Sequence, residues 1–246
     1  MQKIVIAQDA NRLAKRVGQD LIAAVKNAAA ENLRFRLALS GGSTPRLLYE
    51  LLAGPDLVAE MPWGSLELFW GDERCVPPTD ADSNFLMVRQ AMLDHVPLPP
   101  SQIHRVWGEA TPAGEAARYA QEIRLNVPAP KGKLPRFDWV LLGMGDDGHT
   151  ASLFPGQTLA DQNDLCGIAK HPSSGQQRLS FTYDLLNAAG HVAFVVTGAN
   201  KAAPLAAIIR GVPEGQKFPA SRIDPRSGTH TWYLDSAAAG KLSEHL

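Results

Sequence analysis

Two carboxylates and a histidine follow a short apolar run in the middle of the chain. The segment Asp138–Pro155 reads Asp-Trp-Val-Leu-Leu-Gly-Met-Gly-Asp-Asp-Gly-His-Thr-Ala-Ser-Leu-Phe-Pro. Its apolar run predicts a strand covered on both faces, and its glycines predict a tight turn directly after that strand. Histidine can accept or donate a proton near neutral pH. His149 is therefore the candidate general base, and Asp147 is the candidate partner that orients its ring or favours its protonated form.

The same turn contains the glycine spacing Gly-x-Gly-x-x-Gly of a dinucleotide-binding fingerprint. That fingerprint holds a pyrophosphate on free backbone N–H groups at the start of a helix. Here Asp146 and Asp147 occupy variable positions and repel an anion, and Pro155 follows too soon for a long helix. We therefore do not interpret this turn as a nucleotide site.

A second glycine-rich turn, Ser40–Pro45, lies between a predicted strand, Phe35–Leu39, and a predicted helix from about Arg46 to Leu52. It has hydroxyl groups and no acidic residue, so its backbone N–H groups and the helix dipole favour a phosphate. It lacks the lysine and the spacing of a nucleotide-triphosphate loop. An ordinary tight turn with a Ser or Thr cap is an equally good interpretation. The candidate phosphate-binding residues are Gly41, Gly42, Ser43 and Thr44.

Charged residues follow two further predicted strands. Leu66–Trp70 leads into Gly-Asp-Glu-Arg, for which a solvated loop is the default interpretation. If that strand is central and parallel, the loop instead borders the ligand crevice, and Asp72 and Arg74 become candidate catalytic residues. Lys201 follows the predicted strand His191–Thr197 at the start of a helix, where the helix dipole disfavours a cation. A solvated helix start is the ordinary interpretation of Lys201, and this mild conflict strengthens the case for a functional role.

Composition narrows the class of protein. The chain has 246 residues, 45% hydrophobic content and a formal net charge of −1, so nothing favours nucleic acid or an anionic membrane as a partner. Two cysteines provide no disulfide framework and suit a reducing compartment. No signal-peptide core or membrane-length apolar run is visible. We expect a cytoplasmic protein without a membrane or nucleic-acid partner, and we favour a monomer.

Predicted strands and helices alternate throughout, which favours an α/β fold with a largely parallel central sheet flanked by helices. We find no internal repeat or linker and expect one domain over residues 1–246. We also expect a strand at Ile103–Trp107 and a terminal helix at Ser236–Leu242. After Pro155 the sequence is polar and irregular, and we expect Asp161–Gln177 to be loop beside the site.

Several segments resemble, in order over nearly the whole chain, the 6-phosphogluconolactonase family of the glucosamine-6-phosphate isomerase superfamily. These segments are Leu39–Pro45, Trp70–Arg74, Ser83–Asn84, Gly143–Pro155 and Gly198–Ala202. The Asp-Gly-His and Asp-Glu-Arg blocks are specific together, whereas the glycine-serine turn alone is not. The resemblance implies a single Rossmann-like domain that hydrolyses 6-phosphoglucono-1,5-lactone in the oxidative pentose phosphate pathway without a cofactor.

The resemblance also implies that Arg178 and Lys201 bind the substrate phosphate. Arg178 stands in Arg-Leu-Ser-Phe-Thr, where the family more often has Arg-x-Thr-Leu-Thr. Arg74 has two roles open to it, because it can face the lactone oxygen or help to hold the phosphate.

Other classes of protein are weighed on single features. A sugar-phosphate isomerase or deaminase on the same scaffold needs another carboxylate, and Phe154 stands where related deaminases have glutamate. A sugar-phosphate-binding regulator would be expected to carry a DNA-binding segment or basic patch, and none is visible. Gly-x-Ser-x-Gly is absent, which disfavours a serine hydrolase. His-x-x-x-His and Cys-x-x-Cys pairs are also absent, so no metal site is expected.

Overall fold

Strands and helices alternate along the computed structural model, which describes residues 2–242. The strands are β1 (Gln2–Ala7), β2 (Phe35–Leu39), β3 (Leu66–Trp70), β4 (Asp72–Arg74), β5 (Ile103–His104), β6 (Trp139–Leu142), β7 (Cys166–Lys170), β8 (Gln177–Phe181), β9 (His191–Val196) and β10 (Thr229–Asp235). The α-helices are α1 (Ala10–Ala30), α2 (Ser43–Ala53), α3 (Asn84–Ala91), α4 (Pro112–Asn126), α5 (Tyr183–Asn187) and α6 (Ala202–Ile209). Short 3-10 helices connect several of these elements.

Within these residues, the central sheet has seven strands in the order β1-β10-β9-β6-β2-β3-β5, and every pairing is parallel. Helices flank the sheet, so the predicted α/β class and largely parallel sheet are confirmed. The predicted bounds of β2, β3 and β6 agree with the structure. All four residues of β6 are buried, as a continuous apolar run in a central parallel strand requires.

Two buried tyrosines fix the ends of strands that lead into the site. The Tyr49 hydroxyl, from α2, donates to the Ser40 carbonyl at 2.9 Å and accepts from the Ser40 N–H at 3.2 Å. The Tyr119 hydroxyl, from α4, accepts from the Trp70 N–H at 2.8 Å and donates to the Trp70 carbonyl at 3.1 Å. Burial raises the pKa of both tyrosines, so each hydroxyl keeps the proton that it donates. These contacts satisfy backbone groups where the strand pairing stops.

A second, antiparallel sheet in the order β4-β8-β7 lies beside the site and corrects two expectations. The solvated loop expected after β3 is wrong, because it forms strand β4, where Asp72 is 6% and Glu73 2% exposed. The loop expected at Asp161–Gln177 is wrong in part, because β7 lies within it and pairs with β8. Strand β4 depends on pairing with the distant β8, which a local pattern does not reveal, whereas β7 forms a hairpin with β8.

Two elements are shorter than expected. The strand predicted at Ile103–Trp107 pairs with β3 only over Ile103–His104. The helix predicted at Ser236–Leu242 is a 3-10 turn over Ala238–Lys241. Across the described residues, no helix combines the length and apolar character needed to cross a membrane.

Candidate active site

The site lies between β6 and β2, the two neighbouring strands from which the chain continues to opposite sides of the sheet. The chain runs from β2 to its neighbour β3 on one side, whereas from β6 it returns to the sheet at β9 on the other side. Such a switch point opens a crevice beyond the carboxyl ends of the strands. A cleft of about 280 Å³ lies there. It is lined by nine of the ten predicted site residues, namely Gly41, Gly42, Ser43, Thr44, Asp72, Arg74, His149, Arg178 and Lys201.

The tenth predicted residue, Asp147, is hydrogen-bonded to the candidate base. Its Oδ1 lies 2.6 Å from His149 Nδ1 and accepts from the His149 backbone N–H at 3.1 Å. Partial burial alone would raise the pKa of Asp147, but the hydrogen bonds and the charge of His149 outweigh it and lower that pKa. An ionised Asp147 favours the tautomer of His149 with its proton on Nδ1, in which Nε2 is free to accept a proton.

Glycine is required at two positions of the turn that carries this pair. A side chain at Gly145 would place its Cβ closer than 3.0 Å to His149 Nδ1 and 2.6 Å from Asp147 Oδ1. Gly148 has a φ of +71°, and its Cβ would lie 2.5 Å from the Phe218 ring. Gly145 therefore makes room for the His–Asp pair, and Gly148 lets the turn pass close to Phe218. The next strand after this turn is β7, so no helix follows as a nucleotide fingerprint would need.

Two arginines face each other across β4 and β8. Arg74 and Arg178 are directly opposed in the antiparallel register, so their side chains lie on the same face. Within residues 2–242, the Nε atoms of both arginines are buried and have no hydrogen-bond partner. Burial and the neighbouring Arg74 charge lower the pKa of Arg178. Like charges directly opposed are unfavourable, so this pair favours an anion between or beside the guanidinium groups.

Residues of the Asp-Glu-Arg block face opposite sides of β4: Asp72 and Arg74 line the cleft, and Glu73 contacts the start of α3. Glu73 faces away from the cleft and accepts from the backbone N–H groups of Asn84 and Phe85, each at 2.7 Å. It thus satisfies free N–H groups at the start of α3. Asp72 lines the cleft, and its Oδ2 accepts from the Ser152 hydroxyl at 2.7 Å.

Asn84 is a cleft residue that the candidate list omitted. Its side-chain amide donates to the Asp72 carbonyl at 3.0 Å, and its oxygen fills the space that a Cβ at Gly41 would need. It thereby lies between the glycine-rich turn Ser40–Pro45 and β4. The signal was available, because Asn84 follows Ser83 at a helix start within the segments that resemble the family.

The turn after β2 and the turn after β9 meet at the cleft. Ser43 begins α2, so the N–H groups of its first turn have no partner inside the helix. The Thr44 hydroxyl lies 2.7 Å from that of Thr197, which joins the two turns. Lys201 also lines the cleft, and burial lowers its pKa. These donors and cations converge on one part of the cleft, where their charge and free N–H groups suit an anion.

Phe154 packs against the candidate base instead of supplying a carboxylate. Its ring centroid lies 4.9 Å from that of His149 and 5.2 Å from that of His171, and 5.7 Å from the Arg178 guanidinium carbon. It is 3% exposed. The ring therefore limits the positions open to His149.

A histidine held by an aspartate, beside clustered cations, is the arrangement expected of an α/β enzyme that carries out acid–base chemistry on an anionic substrate. Residues 8–232 match the family described as glucosamine-6-phosphate isomerases/6-phosphogluconolactonase. The chain belongs to this family. In the part of the chain that the structure describes, no group of three or more His, Cys, Asp or Glu side chains is arranged to hold a metal ion.

Similar proteins agree with this assignment. A 6-phosphogluconolactonase of Haemophilus influenzae is 45% identical over 84% of this chain and 87% of its own length. One from Nostoc is 41% identical over 99% of this chain and 100% of its own. The solved structure of 6-phosphogluconolactonase from Trypanosoma brucei, at 25% identity, has a TM-score of 0.86 and covers 99% of each chain.

Proposed function

We propose that the protein hydrolyses 6-phosphoglucono-1,5-lactone to 6-phosphogluconate in the oxidative pentose phosphate pathway. The observation that carries this proposal is the His149–Asp147 pair in one cleft with Arg74, Arg178 and Lys201. A lactone needs an activated water, and a sugar phosphate needs cations. The similarity to 6-phosphogluconolactonases over most of the chain supports the same activity.

His149 is the proposed general base. Its Nε2 takes a proton from water, and the resulting hydroxide oxygen forms a bond to the lactone carbonyl carbon. The tetrahedral adduct collapses with cleavage of the bond to the ring oxygen, which receives the proton from the imidazolium. Asp147 stabilises the charged ring between these two transfers. The positive field of the cleft stabilises the developing oxyanion.

Arg178 and Lys201 are proposed to bind the phosphate, with N–H groups of Gly41–Thr44 as further donors. The register opposite Arg178 favours the same role for Arg74, since one phosphate can accept hydrogen bonds from two guanidinium groups. The hydrogen bond from Ser152 uses Oδ2 of Asp72. We propose that the other carboxylate oxygen, Oδ1, accepts a hydrogen bond from a substrate hydroxyl.

The isomerase or deaminase alternative requires proton transfer between neighbouring carbons. The position that resembles the deaminase glutamate is Phe154, whose ring packs on His149 and can neither accept nor donate a proton. This observation favours lactone hydrolysis over amine loss.

We also propose one domain over residues 1–246 and a cytoplasmic location. The two free cysteines, Cys75 and Cys166, support the cytoplasmic location. We propose a monomer, because the proposed site is built from residues of one chain.

The proposed activity is tested with freshly prepared 6-phosphogluconolactone, with its spontaneous hydrolysis subtracted. Unphosphorylated gluconolactone serves as the matched substrate, because it lacks only the charged group. Enzyme-dependent hydrolysis that is faster for the phosphorylated lactone supports the proposal. Equal acceleration of both lactones contradicts the phosphate-binding role, and acceleration of neither contradicts the function.

A further inference from the structure

Lys201 differs from the two cleft arginines in having a carboxylate partner. Its Nζ forms an ion pair with Asp146 Oδ1, and the Asn200 side-chain amide donates to the same oxygen at 3.1 Å. Among the ion pairs of residues 2–242, neither Arg74 nor Arg178 has a carboxylate within 4.0 Å. One cation of the proposed phosphate site is therefore paired with an anion of the protein itself.

The two members of this pair have different surroundings. The Lys201 side chain is 19% exposed and lines the cleft, whereas that of Asp146 is 65% exposed and lies outside the cleft lining. Their positions follow from the sheet, because Asp146 follows β6 and Lys201 follows its neighbour β9. The carboxylate therefore reaches the lysine from the solvent side.

We propose that Asp146 competes with the ligand phosphate for Lys201 and so weakens binding of both the phosphorylated substrate and the phosphorylated product. The inference rests on the proposed function, because it assigns a phosphate to the cleft. An ammonium group pairs readily with either anion, so a phosphate gains less from a lysine that must first leave a carboxylate. Water can solvate the exposed carboxylate after the exchange, so the competition is mild and reversible.

The consequence for turnover is easier release of product. Lactone opening adds a carboxylate to a ligand that still carries its phosphate, so the product is more anionic than the substrate. A cleft with three free cations would hold such a product tightly. Asp146 lowers that affinity without occupying space in the cleft.

Asp146→Asn tests the proposal, because it removes the charge and keeps an oxygen that can accept from Asn200. We expect 6-phosphogluconate to bind about two- to fivefold more tightly, the range for loss of one exposed ion pair, and gluconate to bind unchanged. Titration calorimetry measures both ligands. The control Asp56→Asn makes the same charge change at an exposed position outside the cleft lining, and it should leave both affinities unaltered.

A double-mutant cycle with Lys201→Met tests whether Asp146 affects phosphate binding through Lys201. The tightening should disappear in the Lys201→Met background, because no ammonium remains to be released. Unchanged or weaker 6-phosphogluconate binding by Asp146→Asn overturns the proposal, and weaker binding would mean that Asp146 orients Lys201. Equal tightening in the Lys201→Met background also overturns it, since a long-range charge effect then suffices. If the unaltered protein binds gluconate and 6-phosphogluconate with equal affinity, the proposed phosphate site itself is wrong. Titration of the unaltered protein with both ligands detects that outcome.

Discussion

Gly145→Ala separates the geometry of the proposed base from its chemistry. The added methyl would lie 2.6 Å from Asp147 Oδ1 and closer than 3.0 Å to His149 Nδ1. Both atoms belong to side chains, so the protein can relieve the clash by rotating these groups without unfolding. The relief separates the hydrogen-bonded pair and moves the imidazole from its place against Phe154.

The expected loss follows from that displacement. A misplacement of about 1 Å costs roughly 10²-fold in rate, and complete loss of a positioned acid–base group costs roughly 10²–10⁴-fold. We therefore expect kcat for 6-phosphogluconolactone to fall by about 10²-fold or more, with a small change in melting temperature. Stopped-flow pH-indicator assays measure kcat, and a thermal melt measures folding.

Gly64→Ala is the matched control, because it makes the same change at an exposed position outside the cleft lining and its Cβ would meet nothing within 4 Å. It should keep kcat within a few-fold of the unaltered protein. A folded Gly145→Ala protein with the same kcat as Gly64→Ala would refute the reasoning. Combining Gly145→Ala with His149→Gln should add little further loss, because both changes remove the same proton transfer.

Three further outcomes are expected. Arg178→Gln and Arg74→Gln should each lower kcat/KM for the phosphorylated lactone about tenfold or more relative to gluconolactone, as expected for loss of a hydrogen bond between charged groups; an unchanged ratio in both moves the phosphate site elsewhere. Dialysis against a chelator should leave activity intact, whereas loss restored by a divalent ion would point to Asp72, Asp146 and Asp147 as ligands. Glucosamine 6-phosphate should release no measurable ammonia, because Phe154 cannot transfer a proton; ammonia at a rate comparable to lactone hydrolysis would contradict that interpretation.

Much of the site could be predicted because its chemistry lies in short segments at strand ends. The turn around His149 contains its own partner, Asp147, only two residues away, so local sequence is sufficient. The strands β2, β3 and β6 are continuous apolar runs, which identify buried parallel strands. Parallel topology then brings their carboxyl ends to one edge.

The remaining contacts depend on the pairing of distant segments. Nothing local to Arg74 shows that Arg178 lies opposite it, because that register joins strands about a hundred residues apart. From the sequence, Glu73 resembles a solvated charge. Only the folded chain brings the first N–H groups of α3 to its carboxylate. Strand β7 is not evident from the sequence because Gly167 and polar flanks weaken its pattern, although Leu159 packs against that glycine.

The most direct measurement is the kcat of His149→Ala on freshly prepared 6-phosphogluconolactone, compared with that of His95→Ala. His95 is an exposed histidine outside the cleft lining, so its replacement makes the same chemical change away from the site. We predict that His149→Ala remains folded and loses about 10²–10⁴-fold in kcat, while His95→Ala keeps full activity. A folded His149→Ala protein that hydrolyses the lactone as fast as His95→Ala would contradict the central claim.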